Sequence, residues 1–428
     1  MSKISSVFLP ANEYLGVLWA LSGVKDVAVI NHGTGGCNFF EFATASDRTK
    51  RLIHDRFCST GMEAEDIALS GGEDKLKAAI EEMAQKGDFS MIAIIANPVS
   101  SLIGVDIEAV AKEAGEKTGI PIITFGDSVW QEQAEKGIEL ALVKLVEHLC
   151  ADQKDKGLTK EPSFSVNIIG PTIQTYNWKS DKKELCRLLS FLGMEVKTVI
   201  PYDTTTEEIK KLPQANLNIV ATTAGLQAAK YLERHFQIPY IYGLPYGKKG
   251  TFEWLQEIAK MTNNPLPMKW IKEEMAFPVH HYFERIADGT FYQKEWTVAL
   301  ACPPVMAKKM IQMVTEDWEL RVAAVRLTTV PEKEEAEELE SLSVPMYVTP
   351  SELEWKKILR ECQPFILMGS AEDRLLAKEI PVHLRIVEPA FDVFSFFEGT
   401  PLVGWEGFKC MTQQLLNEIS RYAIVSKK

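Results

Sequence analysis

Short, unbroken apolar runs alternate along nearly the whole chain with stretches whose apolar positions recur every three or four residues. Residues 27–30, 91–95, 122–125, 165–169, 195–200, 217–220, 240–242, 296–301, 321–325 and 365–368 read as strands. Their apolar positions are continuous rather than alternating, which predicts strands covered on both faces. Between them, residues 74–85, 137–150, 181–192, 226–235, 306–314 and 352–360 carry helical periodicity. Strand and helix in this rhythm predict an α/β fold of parallel units joined by right-handed crossovers.

An internal echo sharpens that picture. Three times an apolar strand runs into a small or polar loop, a helix follows, and an Ile-Pro pair opens the next strand. The copies are residues 92–101 (IAIIANPVSS) closing at Ile120-Pro121, 217–225 (LNIVATTAG) closing at Ile238-Pro239, and 364–373 (PFILMGSAED) closing at Ile380-Pro381. Proline is tolerated at the first position of a strand, where its missing N–H costs least. Ile-Pro pairs are also common at strand starts in unrelated α/β chains, and that plainer explanation stays open. Read at face value, the echo predicts three Rossmann-like domains with parallel sheets, each with a crevice at the C-terminal strand ends. The polar, proline-ended stretch 151–163 (ADQKDKGLTKEPS) and a break near 289–295 set the expected domains at 1–150, 151–290 and 291–428. The acidic tract 329–343 reads as a solvated helix face.

Composition narrows the function classes. The 428 residues are 46% hydrophobic and 25% charged, with a net charge of −12, ordinary values for a globular chain of two or three domains. A mild acidic excess argues against nucleic acid or an anionic membrane as the main partner. The seven cysteines (37, 58, 150, 186, 302, 362 and 410) include no CxxC pair and form no disulfide framework, which points to a reducing, cytoplasmic compartment. No stretch has the uninterrupted apolar length of a spanning helix or an export signal.

Phosphate-binding signatures fail. After the first strand comes His32-Gly33-Thr34-Gly35-Gly36-Cys37-Asn38, and a dinucleotide fingerprint needs glycine where Asn38 stands. Residues 243–249 (GLPYGKK) have too few residues between the glycines and no Ser or Thr after the lysine for a P-loop. What remains is Cys37 in a glycine-rich turn, five residues after His32. Backbone N–H groups in such a turn lower a thiol pKa and suit a thiolate ligand or nucleophile. A buried, inert cysteine is the alternative.

At His32-Gly33-Thr34-Gly35-Gly36-Cys37 the sequence begins to resemble the nitrogenase component 1 family. That family comprises the nitrogenase molybdenum–iron protein subunits, their cofactor-maturation homologues and the dark-operative protochlorophyllide reductase subunits. The likeness continues at Ser59-Thr60-Gly61-Met62-Glu63, Gly71-Gly72-Glu73-Asp74, Leu102-Ile103-Gly104-Val105-Asp106, Val166-Asn167-Ile168-Ile169-Gly170-Pro171, Gly369-Ser370 and Pro389-Ala390-Phe391-Asp392. It closes at Thr400-Pro401-Leu402-Val403-Gly404-Trp405-Glu406-Gly407. The resemblance implies three Rossmann-like domains and an iron–sulfur cluster shared with a partner subunit. It makes Cys37 the metal ligand, with His32 and Gly36 beside it.

The loops that end parallel strands, at Asn97, Ser100, Thr222, Thr223, Gly369 and Ser370, are expected to line a substrate crevice. The resemblance implies two partners: a homologous component 1-type subunit, in a dimer or heterotetramer, and an ATP-dependent iron–sulfur reductase that delivers low-potential electrons. The departures are specific. The family's other two cluster cysteines fall near Ala11–Asn12 and Asn97–Pro98, and its cofactor cysteine near Thr222; none is cysteine here. No iron–molybdenum cofactor is expected. One thiolate cannot hold a 4Fe–4S cluster, which needs four ligands. The chain is therefore expected to be a subunit of a nitrogenase-like two-component oxidoreductase that shares a cluster with its partner, or else a non-catalytic scaffold or maturation subunit. Glu13 is expected on a helix surface, with a carboxylate ligand to the shared cluster as the alternative, and Cys58 as an inert thiol.

Overall fold

The computed structural model describes residues 11–35, 56–70, 72–126, 133–153, 164–278, 296–390, 392–393 and 398–426. They form three sheets. The first orders β2 (Phe57–Ser59), β1 (Val27–His32), β3 (Met91–Ala96) and β4 (Ile122–Phe125) as β2-β1-β3-β4. In the second, β5 (Phe164–Ile169), β6 (Met194–Ile200), β7 (Leu217–Val220) and β8 (Tyr240–Tyr242) run β6-β5-β7-β8. The third holds β9 (Thr297–Cys302), β10 (Arg321–Leu327), β11 (Met346–Val348), β12 (Ile366–Gly369) and β13 (Val382–Arg385), in the order β11-β10-β9-β12-β13. The pairings of β1 with β2 and β3, β3 with β4, β5 with β7, β9 with β10 and β12, β10 with β11, and β12 with β13 are all parallel.

The central strands are buried along their length, β1, β3 and β9 at every residue, as continuous apolar runs require. The three Ile-Pro pairs of the echo stand directly before a strand, β4, β8 and β13, whereas a fourth, Ile200-Pro201, stands at the end of β6. The proline fixes φ where no ladder N–H is needed.

By contact the chain divides into two compact units. One comprises residues 1–174 with 196–240, the other 175–195 with 241–428. Within the first unit, helices Glu13–Ser22 and Ala134–Cys150 cross at two glycines. A Cβ on Gly16 would fall 1.8 Å from the Ala134 carbonyl oxygen, and one on Gly137 1.8 Å from that of Glu13. Only glycine lets the two backbones approach so closely. Glu13, expected on a surface, is buried at 5% exposure, because nine of the ten residues of its helix are buried. In the same unit Thr206 donates from its N–H and Oγ1 to the Asp26 carboxylate, at 2.8 and 2.6 Å. The Arg56 guanidinium reaches the carbonyls of Ser22, Val24 and Val27.

In the second unit, Asp181 and Glu184 of helix Trp178–Phe191 stand at the N-terminus of the long helix Gly404–Ser426. Asp181 Oδ1 accepts from Leu402 N at 2.6 Å, and Glu184 Oε1 accepts from Glu406 N at 3.4 Å. Carboxylates suit the positive end of a helix. Among the described residues no helix is long and apolar enough to cross a membrane.

Candidate functional site

In each sheet the chain leaves a central pair of strands in opposite directions, and a ligand crevice belongs at the C-terminal ends of that pair. From the strand orders, the pairs are β1/β3, β5/β7 and β9/β12. Asn97 follows β3, Thr222 lies just past β7, and Gly369 ends β12. Each sequence-predicted loop therefore stands at a switch point.

At the first switch point, His32 ends β1 and is fully buried. Its Nδ1 lies 3.2 Å from Thr60 Oγ1, which also accepts from Gly33 N at 3.0 Å. The His32 carbonyl accepts from Asn97 N at 3.0 Å and from Ser100 Oγ at 2.6 Å, and Gly33 O accepts from Met62 N at 2.8 Å. Asn97 Oδ1 accepts from Ser100 N at 3.1 Å, opening the helix Pro98–Ile103. A Cβ on Gly33 would fall 1.7 Å from Asn97 Nδ2. The turn after β1 is thus pinned on both sides. The structure brings His32, Asn97 and Ser100 together, with the polar atoms of Asn97 and Ser100 turned into the turn itself. Sequence reasoning gave Thr60 no role; its signal was the Ser59-Thr60-Gly61 segment, whose chemistry becomes legible only once β2 is paired beside β1. Gly36 and Cys37 lie outside the described residues.

At the second switch point, Gly170 takes φ +120°, and a Cβ there would meet Thr222 Oγ1 at 2.2 Å. Thr222 and Thr223 open the short turn that leads into helix Leu226–Phe236.

The third switch point lies in the second compact unit. Gly369 O accepts from Arg385 Nη1 at 2.6 Å, and Arg385 Nε and Nη2 donate to Asp392 at 3.1 and 2.6 Å. Partial burial works to raise the Asp392 carboxyl, but the Arg385 hydrogen bonds and charge outweigh it and hold the group below its ordinary value. Ser370 caps its helix in a reciprocal box with Asp373. Asp373 Oδ1 in turn accepts from Arg326 Nη1 at 2.9 Å and Trp355 Nε1 at 3.0 Å. None of these roles was foreseen from sequence.

The 243–249 loop does reach a helix N-terminus, but that end is filled from within. Asp317 Oδ2 accepts from Lys248 N at 2.6 Å and Lys249 N at 3.4 Å. A carboxylate of the chain's own stands where a phosphate would otherwise sit.

The donor set of the described residues, which do not include Cys37, does not by itself fit an iron–sulfur cluster. Among the described residues no group of three or more His, Cys, Asp or Glu is placed to hold a metal ion. Near the two expected cysteine positions stand amides used as helix caps: Asn12 Oδ1 accepts from Leu15 N at 3.0 Å, and Asn97 acts as described. Burial pushes the Cys58 thiol up, aided by Glu82 and opposed by Lys86, and its side chain packs against the core of the first sheet. It has the surroundings of an inert thiol.

Comparison with known proteins decides the family. The family model described as nitrogenase component 1 type oxidoreductase matches residues 13–420. The chain belongs to the nitrogenase component 1 family. It is 23% identical to a light-independent protochlorophyllide reductase subunit of Nephroselmis olivacea, over 94% of this chain and 78% of that one. It is 27% identical to the nitrogenase iron-molybdenum cofactor biosynthesis protein NifE of Clostridium pasteurianum, over 89% of this chain and 82% of that one. Identity to the nitrogenase molybdenum-iron protein alpha chain of Clostridium pasteurianum is 29%, but over 66% of this chain and 52% of that one. A solved structure titled Nitrogenase Cp1 at pH 6.5 superposes with a TM-score of 0.74 at 17% identity, covering 99% of this chain and 95% of that one. The α/β fold of parallel sheets is that of component 1. The relatives include both reductase subunits and a cofactor-biosynthesis protein, so family membership spans both activities.

Proposed function

We propose that this chain is one subunit of a nitrogenase-like two-component oxidoreductase. A homologous component 1-type subunit completes the complex, as a dimer or heterotetramer. A separate ATP-dependent iron–sulfur reductase supplies low-potential electrons, which are passed to a bound substrate or cofactor. The observation that carries this reading is the match of residues 13–420 to the component 1 model. The filled helix N-terminus at Lys248 is consistent with ATP being handled by the partner.

This chain contributes Cys37 alone to any shared cluster, and the companion subunit contributes the remaining ligands. The reading of Cys37 as a ligand rests on the resemblance at His32-Gly33-Thr34-Gly35-Gly36-Cys37. Anaerobic co-expression with a homologous neighbouring subunit tests this, by iron analysis and EPR of the complex with wild-type chain and with Cys37→Ala. Loss of iron and of the EPR signal in the variant is expected. Iron unaffected by that change overturns the ligand role.

One observation favours a second reading, as a non-catalytic scaffold or cofactor-maturation subunit. The identity to the NifE relative is higher than to the protochlorophyllide reductase relative, at similar coverage. Turnover that requires both the reductase component and ATP separates a catalyst from a scaffold.

A further inference from the structure

Among the described residues β4 ends the first sheet, paired with β3 on one side only. Ile92 N donates to the Pro121 carbonyl at 2.9 Å, and Ile92 stands opposite Ile122 in a parallel register. Backbone groups of successive residues point to opposite sides of a strand. Ile123 and Phe125 therefore bond toward β3, and Ile122 and Thr124 turn outward. The Thr124 carbonyl accepts from Lys144 Nζ at 2.7 Å, a lysine guard of the kind that shields exposed edges. The Ile122 N–H and C=O and the Thr124 N–H have no partner among the described residues.

Ile122 and Thr124 line a groove of about 550 Å³ between β4 and the helix Ile107–Thr118. Ala111 and Gly115 form its helix side. A Cβ on Gly115 would meet Ile122 Cγ1 at 3.8 Å, an ordinary contact, so the groove is deep there for want of a side chain. Glu108, Lys112 and Glu116, all exposed, line it at four-residue steps. Four helical residues rise about 6 Å. Side chains on one face of a strand recur at about 6.6 Å, close to the same spacing.

We propose that this groove takes an extended segment of a partner protein. The segment adds as a fifth strand beside β4 and turns Lys, Glu and Lys at alternate positions toward Glu108, Lys112 and Glu116. Main-chain bonds to Ile122 and Thr124 hold it, and the lysine stems lie along Ala111 and Gly115. The order Lys-x-Glu-x-Lys reads the same from either end, so it fits whichever way the strand runs. A second copy of this chain fits poorly, because its own β4, Ile122–Phe125, carries no charge to answer the three on the helix.

The test uses the full-length chain and the labelled, end-blocked peptide Thr-Lys-Val-Glu-Val-Lys-Thr, read by fluorescence anisotropy. A control peptide exchanges its lysines and glutamate. The first peptide is expected to bind at least about tenfold tighter than the control. That preference should invert in a Glu108→Lys/Lys112→Glu/Glu116→Lys variant. Two N-methylated forms, one blocked at the two valines and one at the glutamate and lysines, locate the ladder. One form should lose binding and the other keep it. Thr124→Pro removes an N–H that β3 does not use and should weaken binding about tenfold; circular dichroism and thermal melting check that it is folded. No binding to the wild-type chain, equal binding of the two peptides, or indifference to both N-methylated forms overturns the proposal. Unchanged affinity in folded Thr124→Pro does the same. Self-association of the wild-type chain that Thr124→Pro abolishes would assign the edge to a second copy and overturn it too.

Discussion

The Ser100 hydroxyl donates to the His32 carbonyl at 2.6 Å, across 68 positions of sequence, with both residues buried. That bond ties the loop after β3 to the turn after β1, the turn that leads toward Cys37. Ser100→Ala leaves Asn97 N on the same carbonyl, so the acceptor stays partly satisfied. The expected loss is about 1 kcal/mol of stability, measured by urea denaturation. An unchanged midpoint would remove Ser100 from the account of this turn.

Gly33 and Gly35 sit two residues apart in the same glycine-rich turn and should respond in opposite ways to alanine. A Cβ on Gly33 collides with the Asn97 amide, whereas one on Gly35 meets none of the described residues within 4 Å. Gly33→Ala should cost about 2–4 kcal/mol by displacing a buried, hydrogen-bonded side chain. Gly35→Ala should be close to neutral. Equal melting temperatures for the two variants would contradict the pinned-turn geometry.

Asp181 makes stability depend on pH. Burial, reinforced by Glu184 and opposed by the Leu402 and Val403 N–H groups, raises its pKa from 3.8 to about 7. The folded state therefore holds this proton over a range in which the unfolded chain has released it. Stability from this group is full below the unfolded value and falls as pH rises through the folded one. Asp181→Asn keeps an oxygen for Leu402 N but does not titrate. Its stability relative to wild type should rise between about pH 4 and pH 7, by at most on the order of 4 kcal/mol. Parallel pH profiles for the two proteins would show that Asp181 does not titrate in this range.

Asp317→Ala should open the helix N-terminus at Lys248. The lost cap costs about 1–2 kcal/mol. Sulfate, which can bind the freed N–H groups, should raise the melting temperature of the variant more than that of wild type. Equal sulfate responses would mean that the loop is no anion cradle even when emptied.

Thiol labelling should follow burial. Cys150 and Cys302 are driven up to about 12 by desolvation, and both are buried. They should react with a disulfide reagent only after unfolding. Fast labelling of either in the native protein would show that its surroundings open readily.

The interior strands were legible because each is apolar on both faces. The predicted runs 122–125, 217–220 and 240–242 coincide with β4, β7 and β8, and the others differ by a residue or two at their ends. The strands β2 and β11 escaped notice for the opposite reason. Both are three-residue edges, with patterns of half-buried or exposed residues, and an edge shows no continuous apolar run. Glu13 was misplaced because a charged residue reads as surface; its burial follows from the glycine crossing of two helices far apart in sequence. The switch-point positions of Asn97, Thr222 and Gly369 came from the repeated strand-loop pattern. The roles of Thr60, Arg385 and Asp317 rest on contacts between distant segments, and local sequence carries no trace of those.

The chain passes between its two compact units three times, at 174/175, 195/196 and 240/241. The segment 175–195 belongs to the unit otherwise formed by 241–428. No single cut, whether in the polar stretch after Ala151 or beyond Tyr240, therefore separates two complete units. A C-terminal fragment starting at 241 would lack Asp181 and Glu184, leaving the front of its longest helix without the acids that hold it. The polypeptide is divisible by compactness but not by scissors. Limited proteolysis should give nicked molecules whose pieces stay together until they are denatured.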